Sequence, residues 1–322
     1  MKNKKVKILA CAFCSVLMVG LFFLFPWQET NVDSAYSAVD IKDEAVPLYD
    51  KPVAPKVLTP VASGATVYES NQVVLDASNS AQGYVMINYK GNNGKIKVQV
   101  TKSGNETYTY NLNARKVYEV FPLSEGNGTY TIKVFENISG TQYAQAFSKD
   151  ITVQLANEFL PFLYPNQYVN YTAGSQTVKT GMSVTKNAKT DVKVVESVYN
   201  YVVNGMTYDK AKAASVKSGY LPNVDSVLAA KKGICFDYAA VMATMLRTQN
   251  IPTKLVVGYT GDVYHAWINV YLEGSGWVNQ MIFFNGSEWK LMDPTFASSG
   301  KKSESIAKYI TNSANYKQKY VY

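Results

Sequence analysis

The chain has 322 residues, enough for about two ordinary domains, and its 47% apolar content excludes general disorder. Its net charge is +8, but Lys2, Lys4, Lys5 and Lys7 supply half of it. Without them 28 basic residues stand against 24 acidic ones, a net charge of +4. These lysines and arginines are interleaved with polar and acidic residues and no nucleic-acid motif accompanies them, so we expect no nucleic-acid partner.

Residues 1–27 have the pattern of an export segment. The four lysines precede an apolar run of 18 residues, Ile8 to Phe25, which is just long enough to span a bilayer. Small residues typical of a cleavage site occur only further on, at Ala35 and Ser37. We therefore favour an uncleaved single-pass anchor over a cleaved signal, and expect the protein to be extracellular or at the cell surface.

Residues 28–58 are polar and carry scattered prolines, which predicts a tether. Residues 59–156 then alternate apolar and polar positions in short runs separated by Gly/Asn turns. This pattern predicts an all-β, immunoglobulin-like sandwich, and no catalytic grouping accompanies it. The predicted strands are Tyr84–Tyr89, Lys95–Val100, Thr107–Leu112, Lys116–Phe121, Thr129–Phe135 and Asp150–Leu155.

A connector rich in aromatic residues and proline, 157–187, leads to a second domain over residues 188–322. Valines and Tyr199 recur at helical spacing after Thr190, which is placed to cap a helix that Gly205 ends. Helices followed by a sheet make this an α+β domain. Two further helices are predicted over Val224–Lys231 and from near Cys235 to Thr248, and strands over Lys254–Thr260, Tyr264–Leu272, Gly276–Phe284 and Glu288–Met292.

Cys235 is the one cysteine beyond the leader, and it lies at the predicted start of a helix. An exported protein that used cysteines for stability would carry an even set. The free amides at a helix N-terminus favour the thiolate, which is the nucleophilic form. The alternative is a small buried apolar cysteine.

His265 is the only histidine of the chain and follows Cys235 by thirty residues on a predicted strand. Its imidazole suits general acid and base work, although a structural histidine is the alternative. Asp293 ends a later sheet segment, where a carboxylate could orient the imidazole or merely form a turn. Trp267 shares the face of His265 by strand alternation, and it either lines a substrate groove or packs in the core.

The stretch from about Tyr220 to Thr295 resembles the transglutaminase-like superfamily, here as a bacterial exported member. The resemblance rests on five groups of residues, in family order at family-like spacing: Gly233-Ile234-Cys235 with Asp237-Tyr238-Ala239, Leu246-Arg247, Ile251-Pro252-Thr253-Lys254, His265-Ala266-Trp267 and Asp293-Pro294-Thr295. It implies a papain-like core with a Cys235-His265-Asp293 triad. Asn250 departs from the glycine that the family usually has there, at a turn where asparagine tolerates a left-handed conformation.

The resemblance also implies an oxyanion donor just before Val224-Asp225, a tryptophan in the animal enzymes. Tyr220 holds that position here, and its phenol can donate one hydrogen bond as an indole does. The expected enzyme attacks peptide or glutamine-type amide carbonyls through an acyl-thioester, with hydrolysis slightly favoured over cross-linking. Its expected partners are a protein or peptide substrate, cell-wall components included, and the membrane if the leader is uncleaved.

Two other classes of function compete with this one. The first is a non-catalytic cell-surface binding or assembly module on the same fold. The second is a metal-dependent hydrolase, which one histidine and one cysteine could not supply with an ordinary zinc set. No phosphate-binding glycine loop and no calcium-loop spacing occurs either, so we expect no metal site and no cofactor.

Overall fold

The computed structural model describes residues 50–273, 276–278, 282–284, 289–291 and 316–322. The predicted export segment, most of the tether and Asp293 lie outside the described residues. Among the described helices, none is long and apolar enough to cross a membrane.

The N-terminal region consists of two four-stranded antiparallel sheets, with strand orders β1-β2-β3-β6 and β5-β4-β7-β8. Apolar residues of both sheets share one buried core, which is the arrangement of a sandwich. The strands are β1 (Val67–Glu69), β2 (Val73–Asp76), β3 (Tyr84–Tyr89), β4 (Ile96–Lys102), β5 (Thr107–Leu112), β6 (Tyr118–Pro122), β7 (Gly128–Ser139) and β8 (Gln142–Val153).

The predicted strands are confirmed, two of them residue for residue, because alternation is a local property of the chain. Along β5, for example, Tyr108, Tyr110 and Leu112 are buried while Thr109 is exposed. The structure adds β1 and β2, which were not predicted, and extends β7 and β8 to 12 residues each. The long β7–β8 hairpin therefore projects beyond the shared core, and Ile138 near its tip is 68% exposed.

The C-terminal region begins with helices α1 (Gln176–Val184), α2 (Asp191–Gly205), α3 (Lys210–Ser215), α4 (Val224–Ala230) and α5 (Cys235–Arg247). The Thr190 hydroxyl accepts a hydrogen bond from the Lys193 amide at 3.2 Å, which confirms the predicted cap of α2. Helix α5 is buried from Asp237 to Arg247, as expected of a helix that is apolar all round. Asn250 after it has φ 62°, the left-handed conformation that the sequence allowed.

Helix α1 lies within the predicted connector, residues 157–187, and was not predicted as a helix. Gly181 faces α5 so closely that a Cβ there would lie 3.1 Å from the Cβ of Met245. The N-terminus of α1 is capped from α4, because the Asp225 carboxylate accepts hydrogen bonds from the amides of Gln176 and Thr177 at 2.9 and 2.8 Å. Contacts distant in sequence therefore stabilise this helix.

Strands β11 (Thr253–Thr260) and β12 (Val263–Leu272) form the centre of an antiparallel sheet with order β13-β12-β11-β16, and α5 packs against them. The outer strands of this described sheet are β13 (Gly276–Val278) and β16 (Tyr316–Val321). A separate pair consists of β14 (Ile282–Phe284) and β15 (Trp289–Leu291), and β9 (Thr207–Tyr208) pairs in parallel with β10 (Lys232–Gly233). The α+β class is confirmed.

Arg247, at the end of α5, ties β11, the segment before α1 and the last residue of the chain together. Its guanidinium is 1% exposed and donates to the carbonyl oxygens of Thr253, Tyr164 and Tyr322 at 2.6–3.0 Å. Burial lowers the pKa of Arg247 to about 10. The ring of Tyr322 stacks on that of Tyr168 at 3.8 Å and meets Tyr108 of the sandwich edge-on at 5.6 Å. The sandwich and the helical region thus share a buried aromatic junction.

Asp225→Asn is expected to reduce the free energy of unfolding at pH 7 by about 1 kcal/mol, because the amide has one acceptor oxygen where the carboxylate uses two, for the Gln176 and Thr177 amides. Burial raises the pKa of the Asp225 carboxyl, but the hydrogen bonds from Thr177 and Gln176 outweigh it and leave the pKa below its ordinary value. A carboxyl whose pKa is lower in the folded protein than in the unfolded chain stabilises the fold at every pH above its unfolded-state pKa. That stabilisation is lost as pH falls through its folded-state pKa. The urea unfolding midpoints of wild type and Asp225→Asn should therefore differ at pH 7 and converge as pH falls through the lowered pKa of the Asp225 carboxyl.

Candidate active site

Cys235 is the first residue of α5 and is half-buried, and its thiol is free. The chain reaches it through Lys231, in the left-handed region at φ 49°, and through the short β9–β10 ladder. A Cβ on Gly233 would lie 2.6 Å from the Cβ of Asp237, so this turn requires glycine. The tight turn places a thiol at a helix N-terminus, where free backbone amides can stabilise an anion.

Asp237 is fully buried in the first turn of α5 and accepts three hydrogen bonds. They come from the Ile234 amide at 2.8 Å, the Lys212 ammonium at 2.6 Å and the Tyr220 hydroxyl at 2.5 Å. Lys212 also donates to the Tyr220 hydroxyl oxygen at 2.6 Å. The three side chains of Lys212, Tyr220 and Asp237, which we call the capping cluster, therefore hold the start of α5.

The contacts within the capping cluster change the pKa of Lys212 and of Tyr220. Burial by itself lowers the pKa of the Lys212 ammonium, but its hydrogen bonds to Asp237 and Tyr220 leave that pKa above its ordinary value. Burial and the hydrogen bond to Asp237 raise the pKa of Tyr220, against the opposing effect of Lys212. Lys212 thus carries a charge at neutral pH, and Tyr220 is a neutral donor.

The structure places Tyr220 in the segment between α3 and α4, where its hydroxyl donates a hydrogen bond to Asp237. Its predicted role as oxyanion donor stays a prediction. That role would require the Tyr220 hydroxyl to exchange its bond to Asp237 for one to the substrate.

His265 is 5% exposed and lies on β12, opposite Gly258 of β11. Its ring lies 6.4 Å from that of Trp267 at an interplanar angle of 24°, so the two share one face as strand alternation predicts. Trp267 is 2% exposed and packs on Val256 in a cluster of its own. Ala266 and Ile268 alternate with these two residues along β12, so they lie on its other face, and they belong to the core that contains α5.

The structure thus brings the helix of Cys235 and the strand of His265 into one packed unit. The catalytic contact between sulfur and imidazole stays a prediction, as does the substrate-binding role of Trp267. Asp293 lies outside the described residues, so its part in the triad is a prediction as well.

Two residues near Cys235 or near the capping cluster at the start of α5 were not singled out from the sequence. Tyr264 is 57% exposed, and its ring meets that of Tyr259 at 5.4 Å. Burial raises the pKa of its phenol above the ordinary value, and other phenols and the nearby Cys235 thiol add to this effect. Lys212 is the second, and only the fold brings it to Asp237, 25 residues further on. No spacing rule connects either residue to Cys235.

Part of the C-terminal region is similar to known proteins. Residues 178–280 match the family model described as the transglutaminase-like superfamily. Kyphoscoliosis peptidase from Mus musculus is 26% identical over 143 residues, covering 39% of this chain and 20% of the mouse protein. The chain thus spans about a fifth of the length of that curated relative.

Several solved structures resemble the chain at low identity. A candidate cysteine protease from Cytophaga hutchinsonii is 14% identical with a TM-score of 0.35, over 74% of this chain and 83% of that one. The periplasmic domain of TgpA from Pseudomonas aeruginosa is 12% identical with a TM-score of 0.32, over 74% and 78%. Red sea bream transglutaminase is 12% identical with a TM-score of 0.31, over 71% and 53%. At such scores the likeness supports no statement about residues or reactions.

Proposed function

We propose that this chain, whose residues 178–280 match the model of the transglutaminase-like superfamily, is an exported cysteine enzyme that transfers acyl groups from peptide or glutamine-type amides. The observation that carries the proposal is the position of Cys235. The thiol stands at the first residue of the buried helix α5, within the matched domain, and a turn that needs Gly233 leaves it half-exposed. A thiol that served only the core would not need this placement.

The proposed reaction begins with attack of the Cys235 sulfur on the amide carbonyl. His265 takes the thiol proton and passes it to the leaving nitrogen, so that ammonia or an amine departs and an acyl-thioester remains. Asp293 orients the imidazole and stabilises its positive charge. The Cys235 amide, and Tyr220 if its hydroxyl turns from Asp237, would donate to the oxyanion. Water or a second amine then attacks the thioester and restores the thiol.

Water is the acceptor that we favour over an amine. The mouse relative is named a peptidase, which agrees with hydrolysis, although the matched part is a fifth of that protein. The lysines and apolar run of residues 1–27 support export and a location at the cell surface, with the substrate a protein or peptide there. The lone cysteine beyond the leader fits such an oxidising location only if the thiol has a use.

The test uses the full chain with a glutamine-containing peptide, with and without a fluorescent primary amine. Mass spectrometry separates cleavage of the peptide, deamidation of glutamine and incorporation of the amine. Hydrolysis that disappears in Cys235→Ala is the expected result. Amine incorporation in preference to hydrolysis would make the protein a cross-linking enzyme. Failure of every reaction on a broad peptide library would favour the non-catalytic surface module.

A further inference from the structure

A buried carboxylate in the same helix turn as a nucleophilic thiolate would create an electrostatic conflict. Asp237 lies in the same first turn of α5 as Cys235 and is fully buried. Its carboxylate caps the Ile234 amide at 2.8 Å and lies at the positive end of the helix dipole. Its negative charge nevertheless disfavours a second negative charge on the neighbouring sulfur, since like charges at short range oppose each other.

Lys212 removes this conflict. Its ammonium lies 2.6 Å from Oδ2 of Asp237, with its side chain 27% exposed and that of Asp237 inaccessible. The pair is largely shielded from solvent, so salt and water screen it less than they screen a surface ion pair. The Lys212 backbone is itself fixed, because its amide donates to Asp209 at 3.0 Å at the start of α3.

The other charged and titratable groups around this helix start do not duplicate Lys212. Lys232 is paired with Asp209 at 3.3 Å, so the two charges balance. Tyr220 is a neutral donor within the capping cluster, and Tyr264 of β12 lies near the Cys235 thiol. Among the described residues, Lys212 is the cation within hydrogen-bond distance of Asp237.

We propose that Lys212 is a positioning residue for Cys235: its charge balances the buried Asp237 carboxylate and so keeps the start of α5 able to hold a thiolate. The inference rests on the proposed function, because it names what makes the thiol of that site nucleophilic. Lys212 itself touches neither the sulfur nor the substrate in this account. It acts through Asp237 alone.

The experiment measures the rate of alkylation of Cys235 by iodoacetamide against pH, in the full chain and its variants, with peptide mapping to confirm the site. In Lys212→Met the inflection should move up by about one pH unit, the typical effect of one nearby charge, and the rate well below it should fall about tenfold. Lys212→Arg should keep the wild-type inflection. In the double variant Lys212→Met with Asp237→Asn, the inflection should return most of the way to its wild-type pH, because both charges are removed.

Lys210→Met is the matched control, since Lys210 lies exposed on the same helix, and it should leave the profile unchanged. If Lys212→Met does not fold, Asp237→Asn alone should lower the inflection, since Lys212 then lacks its negative partner. Overlapping profiles of Lys212→Met and wild type, or no recovery in the double variant, would overturn the inference. Alkylation needs no amide substrate, so a chain that shows these shifts without acyl transfer would reject the proposed function alone.

Discussion

Cys235→Ala is expected to reduce kcat for acyl transfer by about 10⁴-fold or more, because no other described group can form the acyl-thioester. His265→Ala should reduce kcat by about as much. The double variant Cys235→Ala with His265→Ala should reduce kcat little more than either single variant. The reason is that the two residues share one proton-transfer path, so losing one member disables it. Steady-state rates on the glutamine-containing peptide, with circular dichroism to confirm folding, provide the measurement.

Additive losses would show that Cys235 and His265 act separately. Asp293→Asn provides a further comparison, since the amide keeps the size of the carboxylate but cannot hold the imidazolium charge. It should leave the fold intact and lower kcat. Turnover that survives in Cys235→Ala would place the chemistry elsewhere in the chain.

Arg247→Met should lower the free energy of unfolding by about 3 kcal/mol or more. Methionine keeps the apolar stem of arginine but not its guanidinium, so the buried carbonyl oxygens of Thr253 and Tyr164 lose their donor. A buried acceptor left without a partner costs its full desolvation. Urea unfolding followed by tyrosine and tryptophan fluorescence measures the change, because aromatic residues line this junction.

Arg115→Met is the matched control, since Arg115 is exposed and donates only to the carbonyl of Asn92. It should change stability by less than about 0.5 kcal/mol. If Arg247→Met unfolds at the same urea concentration as wild type, the hydrogen bonds of the guanidinium to Thr253, Tyr164 and Tyr322 do not stabilise the fold. A loss of cooperativity instead of a shift would indicate that the sandwich and the helical region unfold separately.

Local patterns were enough for most of the sandwich and for helices α2, α4 and α5. Alternation marks β3 and β5 directly, and Thr190 caps α2 as its side chain predicts. These features depend on residues within a few positions of each other, so the sequence alone reveals them.

Other elements depend on partners far away in sequence. Helix α1 is capped by Asp225, 48 residues on, and it needs Gly181 to approach α5. Strand β16 is rich in lysine and tyrosine and is defined by its pairing with β11, some 60 residues earlier. Tertiary contacts override weak local preference in both cases.

The candidate site divides in the same way. Cys235 and His265 could be singled out because each residue type is rare in this chain, and the glycine before the helix fits a tight turn. Lys212 could not, because lysines are common here and its importance comes from one contact with Asp237. The hydrogen bond from the Tyr220 hydroxyl to the same carboxylate could not be predicted from the sequence either.

Labelling with a thiol-directed acylating probe tests the central claim, that Cys235 is the enzyme's nucleophile. The full chain is treated at neutral pH, digested and mapped by mass spectrometry, alongside His265→Ala and a sample first blocked with iodoacetamide. The account predicts that the label forms a thioester on the peptide that contains Cys235, is lost after blocking, and is much slower in His265→Ala. Labelling at other residues, or at Cys235 with a rate that His265→Ala leaves unchanged, would contradict it.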